Sequence, residues 1–119
     1  MNQNHFFITG AMGCIGAWVV KNLVEKEVAV TVFDISPNRS RLELIMDKHQ
    51  LQQVAFVRGD LTDTDHVKRS IVESGATHII HLGALQVPFC KDDPPKGAAV
   101  NVVGTTNICL LYTSPRPRD

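Results

Sequence analysis

Thr9-Gly10-Ala11-Met12-Gly13-Cys14-Ile15-Gly16 decides the fold. The four residues before it, His5-Phe6-Phe7-Ile8, read as a buried strand. After it, Ile15, Trp18, Val19 and Leu23 recur at helical spacing, leaving Lys21 and Glu25 for solvent. A spaced-glycine pattern alone is weak evidence, but between a strand and a helix it has a specific physical use. Glycines let the chain turn sharply, let the backbone approach a pyrophosphate, and let helix pack closely on strand, while the helix N–H groups and dipole attract phosphate. Gly10, Gly13, Cys14, Ile15 and Gly16 are the candidate phosphate-binding residues. The plainer alternative is a tight strand-to-helix turn with no ligand. A nucleoside-triphosphate loop is excluded because the turn runs on as Gly16-Ala17-Trp18, without the Gly-Lys-Ser/Thr that such a loop requires.

Outward from this turn the same alternation continues. Val28–Phe33, Val54–Val57 and His78–Leu82 are short, rich in β-branched or aromatic residues and almost continuously apolar, the pattern of strands buried on both faces. Between them, Leu42, Ile45, Met46 and His49 mark a second helix, with Arg41 and Lys48 outward. Thr62-Asp63-Thr64-Asp65 has the form of a capping box opening a third helix, which stops at Gly75 with Val67 and Ile71 toward the sheet. A fourth follows Pro94-Pro95, through Ala98, Val102 and Ile108, with Asp92 and Asp93 near its positive end. The order βαβαβαβα predicts an α/β fold: a doubly wound parallel sheet, here about its first four βα units.

Composition agrees with one globular domain. The chain has 119 residues, 44% apolar and 20% charged, with twelve basic residues against twelve acidic ones. Zero formal net charge removes the electrostatic case for nucleic acid or an anionic membrane. No apolar run approaches the roughly 20 residues of a membrane span and no signal peptide is visible, so a cytoplasmic protein is expected. Three widely spaced cysteines, Cys14, Cys90 and Cys109, offer neither a disulfide framework nor a Cys-x-x-Cys metal site. The scattered His5, His49, His66 and His78 suggest no metal site.

Asp34 closes the second strand eighteen positions after Gly16, near the spacing of about 20 at which an acid meets the adenosine ribose hydroxyls. Its charge would repel a 2′-phosphate, favouring NAD over NADP, although Arg39 and Arg41 follow and could pair with such a group. An Asx turn into Ile35-Ser36-Pro37-Asn38 is the alternative role, and the two can coexist.

With these residues in view, the chain resembles an extended short-chain dehydrogenase/reductase of the NAD-dependent epimerase/dehydratase group, over residues 5–108. The Thr-Gly-x-x-Gly-x-x-Gly spacing stands at Thr9–Gly16. Gly59-Asp60-Leu61 resembles the family's Gly-Asp-Leu, which implies that Asp60 and the backbone around Leu61 meet the adenine. His81-Leu82-Gly83-Ala84 resembles its His-Leu-Ala-Ala, so that Leu82, Gly83 and Ala84 pass close to the cofactor, with Gly83 departing from the commoner alanine. Asn101-Val102-Val103-Gly104-Thr105 resembles its Asn-Val-x-Gly-Thr, where the asparagine supports the active-site end of the cofactor. Asp60 also reads as a turn former, Asn101 as a polar helix residue, and His81 as either a satisfied structural histidine or a substrate contact. Beside the phosphates Cys14 reads mainly as a small filler.

The resemblance implies hydride transfer assisted by a Tyr-x-x-x-Lys pair, whose tyrosine acts as acid or base. The single tyrosine, Tyr112, has Arg116 four positions on, so no catalytic residue is assigned. The helical pattern is expected to break after Ile108, and Pro115 and Pro117 forbid a helix. Cys109-Leu110-Leu111-Tyr112-Thr113-Ser114 resembles the translated read-through of a transposase adapter used in sequencing libraries, so residues 1–108 are expected to be a dinucleotide-binding domain fragment and 109–119 a non-native tail. The expectation is the NAD-binding N-terminal part of an epimerase, dehydratase or dehydrogenase for a sugar or nucleotide sugar, with a small-molecule sugar-type substrate and a possible homodimer when full length. The alternatives are a non-catalytic dinucleotide-sensing domain or an NADPH-dependent carbonyl reductase. An exposed edge and apolar face around the first and fourth strands are expected to make the chain aggregation-prone.

Overall fold

The structure is a computed structural model that describes residues 3–84 and 87–113, without the side chains of 87–89 and 110–113. Strands β1 (His5–Thr9), β2 (Ala29–Asp34), β3 (Val54–Arg58) and β4 (His78–His81) form one sheet in the order β3-β2-β1-β4. All three pairings are parallel; Ile8 lies opposite Val32 and Ile80, and Val32 opposite Phe56. The α/β doubly wound reading is therefore correct. β1 is central rather than a sheet edge; the outer strands are β3 and β4. Only β1 and β2 carry the continuous burial expected of all four strands, because β3 and β4 each have a neighbour on one side alone.

Period-two alternation sends the side chains of the central strands into two cores. Ile8, Val30 and Val32 pack with Val20 and Val24 of α1 (Cys14–Glu25), Leu42 of α2 (Ser40–Ile45) and Met46. On the other face Phe7 and Phe33 pack with Val67 and Ile71 of α4 (Thr64–Ser74) and Ile108 of α7 (Thr105–Thr113). Burying each such side chain is worth roughly 1.5–3 kcal/mol, so these layers hold the sheet.

Several helix details differ from the sequence reading. The buried stripe of α1 is Gly16, Ala17, Val20 and Val24, while Ile15 and Trp18 are 70% and 51% exposed. Small residues at 16 and 17 let the helix approach closer than large ones would, rotating the apolar pair outward. The second helix is two short ones, α2 and α3 (Lys48–Gln52), because Asp47 starts a capping box with Gln50; His49 is exposed. The cap of α4 is Asp63, accepting from His66 N–H, rather than Thr62 paired with Asp65; Gly75 ends that helix in the left-handed conformation as expected.

The last helical region is also rearranged. α5 (Val87–Asp92) precedes α6 (Pro94–Ala98), capped by Asp93, and a π-helical turn, Ala99–Gly104, leads into α7. The π turn shifts the phase: Gly97, Gly104, Asn107 and Ile108 are buried, whereas Ala98 and Val102 are exposed. The helix does not break after Ile108 but runs to Thr113, since nothing from Cys109 to Thr113 opposes it before Pro115.

Candidate dinucleotide site

The carboxyl ends of the strands carry the candidate site. Hydrogen bonding continues past them: Gly10 N–H donates to Phe33 O at 3.1 Å and Gly59 N–H to Asp34 O at 3.0 Å, so the loops leave the sheet in fixed directions. A cavity of about 310 Å³ opens there. It brings together Gly10, Gly13, Asp34, Asp60, Leu61, Leu82, Gly83 and Ala84 of the sequence candidates, and adds Phe33, Ile35, Gly59, Lys96 and Val100. Cys14, Ile15, Gly16 and Asn101 are not in its lining. Cys14 and Ile15 are exposed at the start of α1. Gly16 packs inward, and Asn101 turns its Nδ2 to Cys90 Sγ at 3.3 Å.

The glycines serve distinct purposes. Gly10 has φ +72°, and a Cβ there would lie 2.6 Å from Gly83 N, so the first and fourth loops meet backbone to backbone. A Cβ on Gly16 would lie 2.5 Å from Ala11 Cα, which makes this glycine a condition of helix-on-turn packing. Gly13 meets only Gly10 O, at 3.4 Å, so the space in front of it belongs to the cavity. Open space beside a helix start, with backbone N–H groups and no side chain, fits the pyrophosphate of a dinucleotide.

Asp34 ties the turn to β2. Its Oδ2 accepts from Met12 N–H at 3.1 Å and its Oδ1 from Ser36 N–H at 2.9 Å, so the Asx turn and a clamp on the glycine loop coexist. Arg41 Nη1 donates to Met12 O at 3.3 Å, gripping the same loop residue. Arg39 instead lies over the Phe56 ring, 3.7 Å from its centroid. Asp60 Oδ1 accepts from Thr62 N–H and Thr62 Oγ1, at 2.9 and 2.7 Å. These bonds, with a smaller contribution from the Lys96 ammonium, hold its carboxyl below the usual carboxylate range. His81 is a satisfied structural histidine: Nδ1 bonds Thr9 Oγ1 at 2.6 Å and Nε2 bonds Thr105 Oγ1 at 2.9 Å. Burial lowers its pKa.

Sequence reasoning gave no role to Thr9, Met12, Phe33, Ile35, Lys96 or Val100. Thr9 and Met12 were legible only as positions in the turn; Lys96 reaches the cleft from α6 and Val100 from the π turn that follows it. Among the described residues no cluster of three His, Cys, Asp or Glu could hold a metal ion, and no helix is long and apolar enough to cross a membrane.

A cleft at the carboxyl ends of a parallel β3-β2-β1-β4 sheet, walled by glycines and closed by an acid on β2, is the arrangement of a dinucleotide-binding Rossmann-type fold. The family model described as GDP-mannose 4,6 dehydratase matches residues 7–113, and the chain belongs to that family. UDP-glucose 4-epimerase of Mycolicibacterium smegmatis is 34% identical over 103 residues, covering 85% of this chain and 32% of the relative. Mouse 3 beta-hydroxysteroid dehydrogenase type 7 is 32% identical over 122 residues, covering 92% and 32%. Among solved structures, Thermus thermophilus UDP-glucose 4-epimerase in complex with NAD superimposes with a TM-score of 0.73 at 30% identity, over 87% of this chain and 32% of that one. The chain thus spans about a third of the length of the relatives it matches.

Proposed function

We propose that this chain is the NAD-binding N-terminal part of an NAD-dependent epimerase, dehydratase or dehydrogenase acting on a sugar or nucleotide sugar. The observation that carries the reading is the cavity in front of Gly13, bounded by the backbone contact of Gly10 with Gly83 and ending at Asp34. Gly10, Gly13, Cys14, Ile15 and Gly16 would hold the pyrophosphate, Asp34 the ribose, Asp60 and Leu61 the adenine, and Leu82, Gly83, Ala84 and Asn101 the path toward the nicotinamide. Each Asp34 oxygen already accepts one N–H and keeps lone-pair capacity for a ribose hydroxyl. The carboxylate disfavours a 2′-phosphate, and neither Arg39, over the Phe56 ring, nor Arg41, with one N–H on Met12 O, is in the described lining of the cleft. When bound, the nicotinamide supplies a hydride acceptor and donor.

The sugar-nucleotide class rests on the family description and on relatives such as UDP-glucose 4-epimerase. A steroid dehydrogenase among the relatives indicates that the matched third is common to enzymes of unlike substrates, so selectivity is assigned to the rest of the protein. Tyr112 and Arg116 do not form a Tyr-x-x-x-Lys pair, so the 119 residues are expected to bind cofactor without turnover. A cytoplasmic setting and a homodimer of the full-length protein complete the reading. Residues 109–119 are assigned to adapter read-through; source DNA from a library made without that adapter decides this, since the same codons followed by a stop would make the tail native and favour a non-catalytic dinucleotide-sensing domain.

Calorimetric titration tests the cofactor. NAD is expected to bind at least about tenfold more tightly than NADP, and Asp34→Ala to remove that preference. Tighter NADP binding would overturn the assignment in favour of an NADPH-dependent reductase.

A further inference from the structure

The cleft holds one cationic side chain that the glycine turn does not account for. A dinucleotide brings two phosphate charges, whereas the charged side chains among the described lining are Asp34, Asp60 and Lys96. The start of α1 offers its backbone N–H groups and a dipole equivalent to roughly half a positive charge, while the lining also carries two carboxylates. Lys96 is the sole ammonium in that lining.

Its backbone is held in place. Lys96 N–H donates to the Asp93 carboxylate at 3.2 Å, and Gly97 N–H to Asp93 O at 3.0 Å. Gly97 lies so close to Cys90 that a Cβ would come within 2.8 Å of its sulfur. The Lys96 backbone is thus held, and its exposed side chain reaches the cleft from there. The ammonium contributes, as the smallest of the influences there, to lowering the Asp60 pKa, in keeping with its place in the lining. Of the arginines near the rim, Arg41 gives one N–H to Met12 O and Arg58 its Nε–H to Ile35 O at 3.0 Å, and neither is in the described lining.

Resting on the dinucleotide reading, we propose that Lys96 pairs with a phosphate of the bound cofactor: pairing with the pyrophosphate sets the affinity for both dinucleotides, and pairing with a 2′-phosphate sets the balance between NAD and NADP. Titration of the 119-residue chain with NAD, NADP and adenosine, in wild type, Lys96→Gln and Lys96→Arg, tests this. Lys96→Gln is expected to bind the phosphate-bearing ligands roughly tenfold more weakly, leave adenosine unchanged, and be largely rescued in Lys96→Arg. Equal loss for NAD and NADP identifies the pyrophosphate; a greater loss for NADP identifies the 2′-phosphate. Unchanged binding in Lys96→Gln, or an equal loss for adenosine, overturns the pairing while leaving the dinucleotide reading intact. Failure of the wild type to bind either dinucleotide overturns both.

Discussion

The hydroxyl of Thr9 and the imidazole of His81 share a 2.6 Å hydrogen bond whose direction is fixed by the other partners of the hydroxyl. Thr9 Oγ1 accepts from Leu82 N–H at 3.1 Å and from Gly83 N–H at 3.0 Å. Neither can take its proton, so the proton goes to His81 Nδ1. The ring is then the tautomer protonated at Nε2, which donates to Thr105 Oγ1 at 2.9 Å. This chain of bonds joins the end of β1, the loop after β4 and the start of α7, and it positions the backbone at Gly83 against Gly10. A residue at the site's end of a strand thus supports the wall of the cleft while standing outside its described lining.

Thr9→Val keeps the shape and removes the oxygen. Thr9 is fully buried, so the Gly83 N–H and His81 Nδ1 lose a partner in a place water does not reach. A loss of about 2–3 kcal/mol is expected, read as a lower urea midpoint with unchanged slope. A loss below about 0.5 kcal/mol would mean that the network is dispensable.

The same network sets a pH dependence. Burial lowers the pKa of His81 from its ordinary 6.5, and that of His5 likewise, the latter bonded to Thr31 Oγ1 at 2.7 Å. As pH falls below 6.5 the unfolded chain takes up protons that the folded chain refuses, so stability falls with pH through that window and levels off below the folded-state values. Asp60 acts in a separate, more acidic window: its lowered carboxyl stabilises the fold above its ordinary 3.8, and that contribution is lost as pH falls through the folded value. Thermal unfolding midpoints are expected to drop between about pH 7 and 5, and His81→Gln to flatten part of that slope. A midpoint independent of pH over this range would contradict a neutral, buried His81.

The sheet and turn were legible because strong local signals agreed there: β-branched runs, three glycines at fixed spacing, and Asp34 at the end of the second strand. The helix faces were less so. In α1 the apolar Ile15 and Trp18 outweigh Gly16 and Ala17 on any hydrophobicity pattern, yet close packing favours the small pair. At residues 99–104 a π turn adds a phase shift that no 3.6-residue period anticipates, which hid Val100 from the site and put Ala98 and Val102 out of register with Ile108, while Lys96, ahead of the turn, belongs to no motif that pointed to the site. His81 was legible as a residue type, but choosing between its two roles required its partners across 72 and 24 positions of chain.

The exposed apolar residues give a prediction about association. Ile15 and Trp18 on α1, with Val102 and Val103 after α6, lie exposed while the outer edge of β4 lacks a strand partner among the described residues. Unpaired edges and apolar surface favour self-association. Light scattering is expected to show concentration-dependent oligomers, reduced in Trp18→Lys. A monodisperse monomer up to about 1 mM would refute this, since contacts with micromolar to millimolar dissociation constants populate oligomers by that concentration.

Gly10, Gly13 and Gly16 are expected to separate folding from binding. Alanine at Gly10 must take φ +72° and come within 2.6 Å of backbone, and alanine at Gly16 comes within 2.5 Å of Ala11 Cα, so either change costs about 2 kcal/mol or more. At Gly13 the φ of −78° suits any L residue and the nearest atom is 3.4 Å away, so alanine changes stability by less than about 1 kcal/mol. Its methyl group, however, stands where a pyrophosphate must approach. Gly13→Ala is therefore expected to fold normally and to bind NAD at least about tenfold more weakly, with Gly13→Val weaker still. Calorimetry and urea unfolding on the same preparations separate the two effects. A stable Gly13→Val that binds NAD as tightly as the wild type would show that the phosphates do not lie over this turn.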